Sequence, residues 1–245
     1  MLFPIGDDNR DRKIFPLINY LLVLINVLVF VFLQDFGNNL KFTFSYSTVP
    51  EEIVTGKDVV TSSKTYQDTV TGETYTIPGL EKTPSPVYIT IITSMFMHGG
   101  IAHILGNMIF LLIFGDNIEN KIGHFRYLIF YLVCGIIASL AHVYSTLILG
   151  GNMMVPTLGA SGAISGVLGA YILLFPKRKV AVILLYFITE VPAIVAIGIW
   201  FLFQLASGIG LLGSAAQGGG IAYGAHIGGF LAGLILIKFF AIGRK

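Results

Sequence analysis

The chain alternates long apolar runs with short polar connections, and this pattern predicts six membrane-spanning helices. An uncharged apolar run of about 20 residues forms a helix long enough to cross the hydrocarbon core of a bilayer. The predicted helices cover 14–33, 93–118, 127–149, 158–175, 192–208 and 221–242. Because no small-residue cleavage site follows the first run, we expect it to be retained as a span instead of being removed as a signal peptide.

One long hydrophilic segment, 34–90, separates the first two predicted helices. Within it, threonine and tyrosine alternate on either side of Gly72, which predicts a small β-hairpin over 64–76. A second interruption precedes the fifth helix, where Glu190 and Pro192 break an apolar run and predict an interfacial lead.

The fold class expected from this pattern is an all-α polytopic membrane protein. It is a six-helix bundle with a long outer loop between helices one and two. Residues 1–13 form a short charged N-terminal segment, and 14–245 form one membrane domain with the loop 34–90 inserted in it.

Composition supports a membrane protein and excludes several other classes. Apolar residues make up 55% of the chain and charged residues only 11%, with a mean hydropathy of +0.82, whereas soluble domains carry about 25% charged residues. The net charge is only +2, and the basic residues form no stripe with aromatics, so we expect no nucleic-acid partner. The single cysteine, Cys134, excludes a disulfide framework.

The distribution of basic residues predicts the orientation of the bundle. Lys and Arg accumulate on the cytoplasmic side of membrane proteins. With the N-terminus inside, eleven of the 15 Lys and Arg residues lie on or near the cytoplasmic face, and the other four lie in 34–90. Both termini are therefore expected in the cytoplasm of a multi-pass cell-membrane protein, and helices two, four and six run from outside to inside.

Three polar clusters then share one depth near the outer surface. His98, His103 and Asn107 open the second helix, Ser161 opens the fourth, and His226 lies about one turn into the sixth. Polar groups inside a membrane cost free energy unless they have a hydrogen-bond partner, and those that occur there often have a functional role. We therefore expect the three clusters to meet in one site.

The residue types in this layer suit acyl transfer. A serine hydroxyl is a weak nucleophile until a base accepts its proton, and His226 is the candidate base because neutral imidazole accepts protons near neutral pH. His103 and Asn107, four residues apart on one helical face, are candidate donors to an oxyanion. No Asp or Glu lies in the outer half of any predicted span, which leaves a Ser-His dyad as the available serine mechanism.

Each of these residues also has a structural interpretation. Ser161 alone is more often a packing serine, and His226 alone is more often a hydrogen-bonded structural group. The glycine pairs four residues apart, 162 with 166 and 229 with 233, are typical of helices that pack closely. Close packing of helices four and six is also what would bring Ser161 to His226, so the joint placement favours a site.

The motifs together closely resemble those of the rhomboid intramembrane serine proteases, in the six-helix form common in bacteria and archaea. The resemblance covers nearly all of the chain from Ile14 onward except the long first loop. It rests on His98-x4-His103-x3-Asn107, Gly159-Ala160-Ser161-Gly162 and Ala225-His226-Ile227-Gly228-Gly229. Each motif alone is modest evidence, but all three in order on the expected helices are specific.

The resemblance implies that Ser161 is the nucleophile and His226 the base of a dyad. It implies that His103, Asn107 and the backbone N–H of Ser161 form the oxyanion hole, and that His98 supports the site without taking part in the chemistry. Gly159, Gly162 and Gly229 are expected to support the site as well. No cofactor and no metal are implied.

The resemblance further implies a substrate class. The expected substrates are single-span membrane proteins, cut within or next to the bilayer. Helix five and the loop 213–220 resemble the elements that gate the lateral entry of such substrates and cover the site. The chain departs from the family pattern at Ser165, where some members carry an aromatic that packs on the catalytic histidine, so the group that orients His226 stays open.

Two other classes of function remain as alternatives. One is a non-catalytic rhomboid-like protein that binds transmembrane segments, although such proteins usually lack the serine or the histidine. The other is a small transporter or channel, for which polar groups would be expected near the bilayer midplane instead of at one end of the bundle.

Overall fold

The structure, a computed structural model, describes residues 2–67, 72, 74–184, 186–209 and 222–243. The α-helices are α1 Leu17–Leu28, α2 Leu40–Ser45, α3 Pro50–Thr55, α4 Thr90–Thr93, α5 Ile101–Ile122, α6 His124–Ile148, α7 Ser161–Leu174, α8 Ala193–Gly208 and α9 Tyr223–Phe240. The strands are β1 Leu2–Asp7, β2 Lys64–Gln67, β3 Thr74–Ile77, β4 Lys179–Leu184 and β5 Phe187–Pro192. Helix α1 continues as a π-helical turn, Val29–Leu33.

Each predicted span overlaps at least one apolar helix of the structure, but only some of these helices are long enough to cross a membrane. Among the described residues, α5, α6 and α9 are long and apolar enough to cross a membrane by length and composition. Four apolar helices are shorter: α1 with its π-helical turn, the segment Val87–Phe96 that includes α4, α7 and α8. The second predicted span differs most, because the chain leaves the helical conformation between Phe96 and Ile101.

Helices α7 and α9 pack with their backbones in direct contact, and glycine makes this possible. A Cβ placed on Gly229 would stand 2.1 Å from the carbonyl oxygen of Gly162, and one on Gly233 would stand 1.9 Å from that of Gly166. Atoms at such distances overlap, so a side chain at these positions would push the helices apart. The glycine pairs seen in the sequence therefore set the distance between the two helices that carry Ser161 and His226.

A three-stranded antiparallel sheet lies at one end of the bundle, in the order β1-β4-β5. It corrects the all-α prediction, since 1–13 was expected to be a charged tail and 180–191 an interfacial lead. Instead, Phe3 of the N-terminal segment pairs with Ile183. Short apolar runs do not distinguish strand from helix, and this pairing joins segments about 180 residues apart, so local sequence could not predict it.

The polar C-terminal end of α5 holds the N-terminal segment in place. Asp116 accepts a hydrogen bond from Arg12 at 2.8 Å, and Glu119 accepts the backbone N–H groups of Ile18 and Asn19 at 2.9 and 2.7 Å. These N–H groups belong to the first turn of α1 and have no partner inside the helix. The buried carboxylate of Glu119 therefore caps α1.

The segment between α1 and α5 forms the predicted hairpin and contacts the loop before Ser161. Strands β2 and β3 pair antiparallel, with Tyr66 opposite Tyr75. The backbones of Thr48 and Thr157 exchange two hydrogen bonds of 3.0 and 2.8 Å, and the Thr48 hydroxyl is 2.9 Å from Ser94 Oγ. The inserted segment is thus bonded to the stretch of chain that enters α7.

Candidate active site

A cavity of about 810 Å³ opens at the end of the bundle opposite the three-stranded sheet. Polar residues from four different helices line it: His103, Asn107, Ser161, Gln204 and His226. The three polar clusters predicted to meet therefore all lie at this cavity or directly behind it.

Ser161 and His226 form a hydrogen-bonded pair. Ser161 is the first residue of α7, and its Oγ lies 2.8 Å from His226 Nε2 on α9. This distance is within the range over which a base takes a proton from a nucleophile. The pair is brought together by the glycine contacts between α7 and α9, because each residue lies within about one turn of one of those contacts.

The other ring nitrogen of His226 contacts a residue that the sequence interpretation missed. Gln204 Oε1, from α8, lies 2.8 Å from His226 Nδ1, and the Gln204 side chain is only 7% exposed. Gln204 is the one amide or charged side chain in the apolar run 193–206. A lone amide inside such a run calls for a hydrogen-bond partner on a neighbouring helix, so this signal was available in the sequence.

His103 reaches the backbone next to Ser161. Gly99 N–H donates to His103 Nδ1 at 3.3 Å, so the ring proton resides on Nε2. A Cβ placed on Gly159 would stand 2.9 Å from His103 Nε2, and Gly159 has a φ of +125° that side-chain-bearing residues rarely adopt. Glycine at 159 thus lets His103 approach the start of α7 with a donor directed into the site.

Asn107 supplies a second donor. It lies one turn after His103 on α5, and its Nδ2 is buried without a hydrogen-bond partner among the described residues. The backbone N–H of Ser161, at the first position of α7, has no acceptor within its own helix. His103, Asn107 and Ser161 thus bring three N–H groups to the lining of one cavity.

His98 lies behind the site and not in a helix, which corrects its expected position within the second span. It is fully buried, and its backbone N–H donates to Gln34 Oε1 at 2.8 Å. Its ring meets the His103 ring edge-on with centroids 5.1 Å apart. The chain breaks here because Gly99 and Gly100 interrupt the helical run, and the contact supports the His103 ring from behind.

Apolar side chains complete the cavity. Phe110, Ile164, Leu168 and Trp200 line its wall, and the Trp200 ring lies 6.1 Å from that of His226. The loop 213–220, expected to cover the site, lies outside the described residues. Among the described residues, no group of three or more His, Cys, Asp or Glu side chains is placed to hold a metal ion.

Comparison with known proteins gives one family. The family model of the Rhomboid domain matches residues 86–242. Rhomboid protein 1, mitochondrial, of Saccharomyces cerevisiae is 33% identical over 147 residues, which cover 60% of this chain and 40% of that protein. RHOMBOID-like protein 4 of Arabidopsis thaliana is 32% identical over 153 residues, covering 60% of this chain and 32% of that protein.

A bacterial protease is also similar. The Rhomboid protease GluP of Bacillus subtilis is 33% identical over 159 residues, which cover 63% of this chain and 28% of that protein. The chain thus spans less than half the length of these relatives. Together with the apolar helices, the matches identify a membrane-embedded protein.

Proposed function

The chain belongs to the rhomboid family, whose model matches more than half of it, and from this premise we propose that it is an intramembrane serine endopeptidase. Its substrates are transmembrane segments of single-span membrane proteins, and its mechanism is acyl transfer through a Ser-His dyad. The observation that carries the proposal is the 2.8 Å hydrogen bond between Ser161 Oγ and His226 Nε2, inside a cavity that His103 and Asn107 also line.

In the first step the Ser161 hydroxyl attacks the scissile carbonyl carbon. The Oγ–H proton passes to His226 Nε2 as the Oγ–C bond forms, which leaves a negatively charged carbonyl oxygen and an imidazolium ring. The carbon–nitrogen bond then breaks, and the imidazolium gives its proton to the departing amine. Water, activated by the same ring, hydrolyses the acyl-enzyme and regenerates the serine.

The oxyanion is stabilised by His103 Nε2–H, Asn107 Nδ2–H and the backbone N–H of Ser161. Support comes from the tautomer of His103, fixed by the N–H of Gly99, and from the unpartnered Asn107 amide. Donors that are already oriented need no reorganisation when charge develops, and each is worth about 100- to 1,000-fold in rate.

The site faces the outer surface of the cell membrane, and both termini are cytoplasmic. Arg12 and Arg178 support this orientation, since both lie at the sheet end of the bundle, opposite the cavity. A substrate helix that reaches the cavity from the bilayer has to unwind there, which favours segments with small or helix-breaking residues.

A fluorophosphonate probe tests the nucleophile. We expect the probe to label the purified wild type and not Ser161→Ala. Ser165→Ala is the matched control, because it removes a hydroxyl one turn further along α7 that donates to the Ser161 carbonyl oxygen. Labelling that survives Ser161→Ala would overturn the assignment.

Cleavage of a transmembrane reporter in proteoliposomes tests the activity itself. We expect cleavage by the wild type, and its loss in Ser161→Ala and His226→Ala. Binding of the reporter without cleavage by the wild type would instead favour the non-catalytic rhomboid-like alternative.

A further inference from the structure

The Ser-His pair has a third member in the structure, and it is not an acid. Gln204 Oε1 lies 2.8 Å from His226 Nδ1, while His226 Nε2 lies 2.8 Å from Ser161 Oγ. The three side chains come from α8, α9 and α7, and they form a continuous chain of hydrogen bonds.

We propose that Gln204 is the positioning residue of the site: its amide oxygen holds His226 in the tautomer that presents a basic Nε2 to Ser161. The proposal rests on the proposed function. It also answers the question that Ser165 raises, because the orienting group comes from a neighbouring helix and not from the turn below the serine.

The argument begins with the chemistry of a neutral imidazole, in which one nitrogen carries the proton and the other accepts. An amide oxygen only accepts, so a contact with Gln204 Oε1 requires the proton of His226 on Nδ1. Nε2 is then left with a free lone pair directed at the serine hydroxyl. The opposite tautomer would put N–H against Oγ and could not take its proton.

The surroundings of Gln204 restrict its movement. Gln204 is only 7% exposed, so neighbouring residues enclose most of its side chain. Trp200, one turn earlier on α8, places its ring 6.1 Å from the His226 ring. Helix α8 therefore contacts the histidine through both residues, and the base is oriented only while α8 is seated against α9.

The same bond also contributes after proton transfer. When His226 takes the serine proton, the bond from Nδ1–H to Gln204 becomes charge-assisted and so shorter and stronger. A neutral amide supports the imidazolium without adding a carboxylate to the apolar interior, where an unpaired charge is costly. This accounts for a glutamine at the position that an acid occupies in a Ser-His-Asp triad.

Two variants of similar size separate positioning from packing. Gln204→Met fills the space but has no strong acceptor, whereas Gln204→Glu keeps an acceptor oxygen in either protonation state. We expect Gln204→Met to lower kcat for reporter cleavage about 10- to 100-fold with KM unchanged. General base catalysis contributes about 100- to 10,000-fold in rate, and a misoriented His226 should lose a part of that contribution. Gln204→Glu should restore most of this loss.

Ser207→Ala is the matched control. Ser207 is a buried polar residue on the same helix, and its Oγ has no hydrogen-bond partner in the described part of the chain. We expect wild-type kcat from this variant. A kcat for Gln204→Met equal to that of Ser207→Ala, or a Gln204→Glu variant no better than Gln204→Met, would overturn the proposal.

Nitrogen-15 NMR of histidine-labelled protein reads the tautomer directly. The His226 signals, assigned by their loss in His226→Ala, should show the proton on Nδ1 in the wild type and a mixture of tautomers in Gln204→Met. A wild-type proton on Nε2 would overturn the proposal even if Gln204→Met failed to fold. Failure of the proposed function looks different, because the wild type would then cleave no more reporter than Ser161→Ala.

Discussion

Replacing Gly229 by alanine tests whether the helix contact sets the geometry of the site. The added Cβ would stand 2.1 Å from the carbonyl oxygen of Gly162, whereas ordinary van der Waals contact begins at 3.4 Å. Both atoms are fixed to helix backbones, so no side-chain rotation relieves the overlap. Helix α9 has to move away from α7 by about 1 Å at this level.

The displacement should affect stability and catalysis by different amounts. Overpacking of this kind costs about 1–3 kcal/mol of folding free energy. His226 lies less than one turn from Gly229, so the 2.8 Å bond to Ser161 would stretch beyond hydrogen-bond range. A misplacement of about 1 Å at a reacting group costs about 100-fold in rate.

The assay compares kcat for cleavage of a transmembrane reporter with the thermal unfolding midpoint in detergent. Gly198→Ala is the matched control, because a Cβ there has no atom within 4 Å and alanine favours the helix. We expect Gly198→Ala to match the wild type in kcat and in unfolding midpoint, and Gly229→Ala to show a lower value of each. Wild-type kcat and midpoint in Gly229→Ala would refute the argument from close packing.

Two further predictions concern single polar groups. Asn107→Leu should lower kcat about 100- to 1,000-fold with KM unchanged, because it removes a donor to the oxyanion. The unfolding midpoint should stay equal or rise, because the change also removes a buried amide nitrogen that has no partner among the described residues. A stability loss that matches the activity loss would contradict this. Burial raises the pKa of the Asp7 carboxyl from 3.8 to about 6, so the folded state binds this proton more tightly than the unfolded state does. The free energy of unfolding should therefore be highest below pH 4 and fall by about 3 kcal/mol as the pH rises through 6. Unfolding measured from pH 4 to 8 should show this fall in the wild type and not in Asp7→Asn, and identical pH profiles would contradict it.

Much of the candidate site could be predicted because its polar residues lie in apolar segments, where burying a polar group costs free energy. Ser161, His103 and His226 are polar groups in apolar runs, and the distribution of basic residues predicts a common depth for them. Gln204 carries the same signal, a lone amide in an apolar run, but the sequence interpretation leaves the group that orients His226 open. Its contact with His226 required the position of α8 relative to α9, which no local pattern contains.

The sequence by itself determined the apolar helices, the membrane class and the family, because hydrophobic periodicity, run length and short motifs are local properties of the chain. The tertiary structure decided what depends on distant pairing. The sheet joins Leu2–Asp7 to Lys179–Leu184, the chain breaks at His98, and α8 brings an amide to His226. Hydrogen bonds across such separations form only when the whole bundle fixes the distance between their partners.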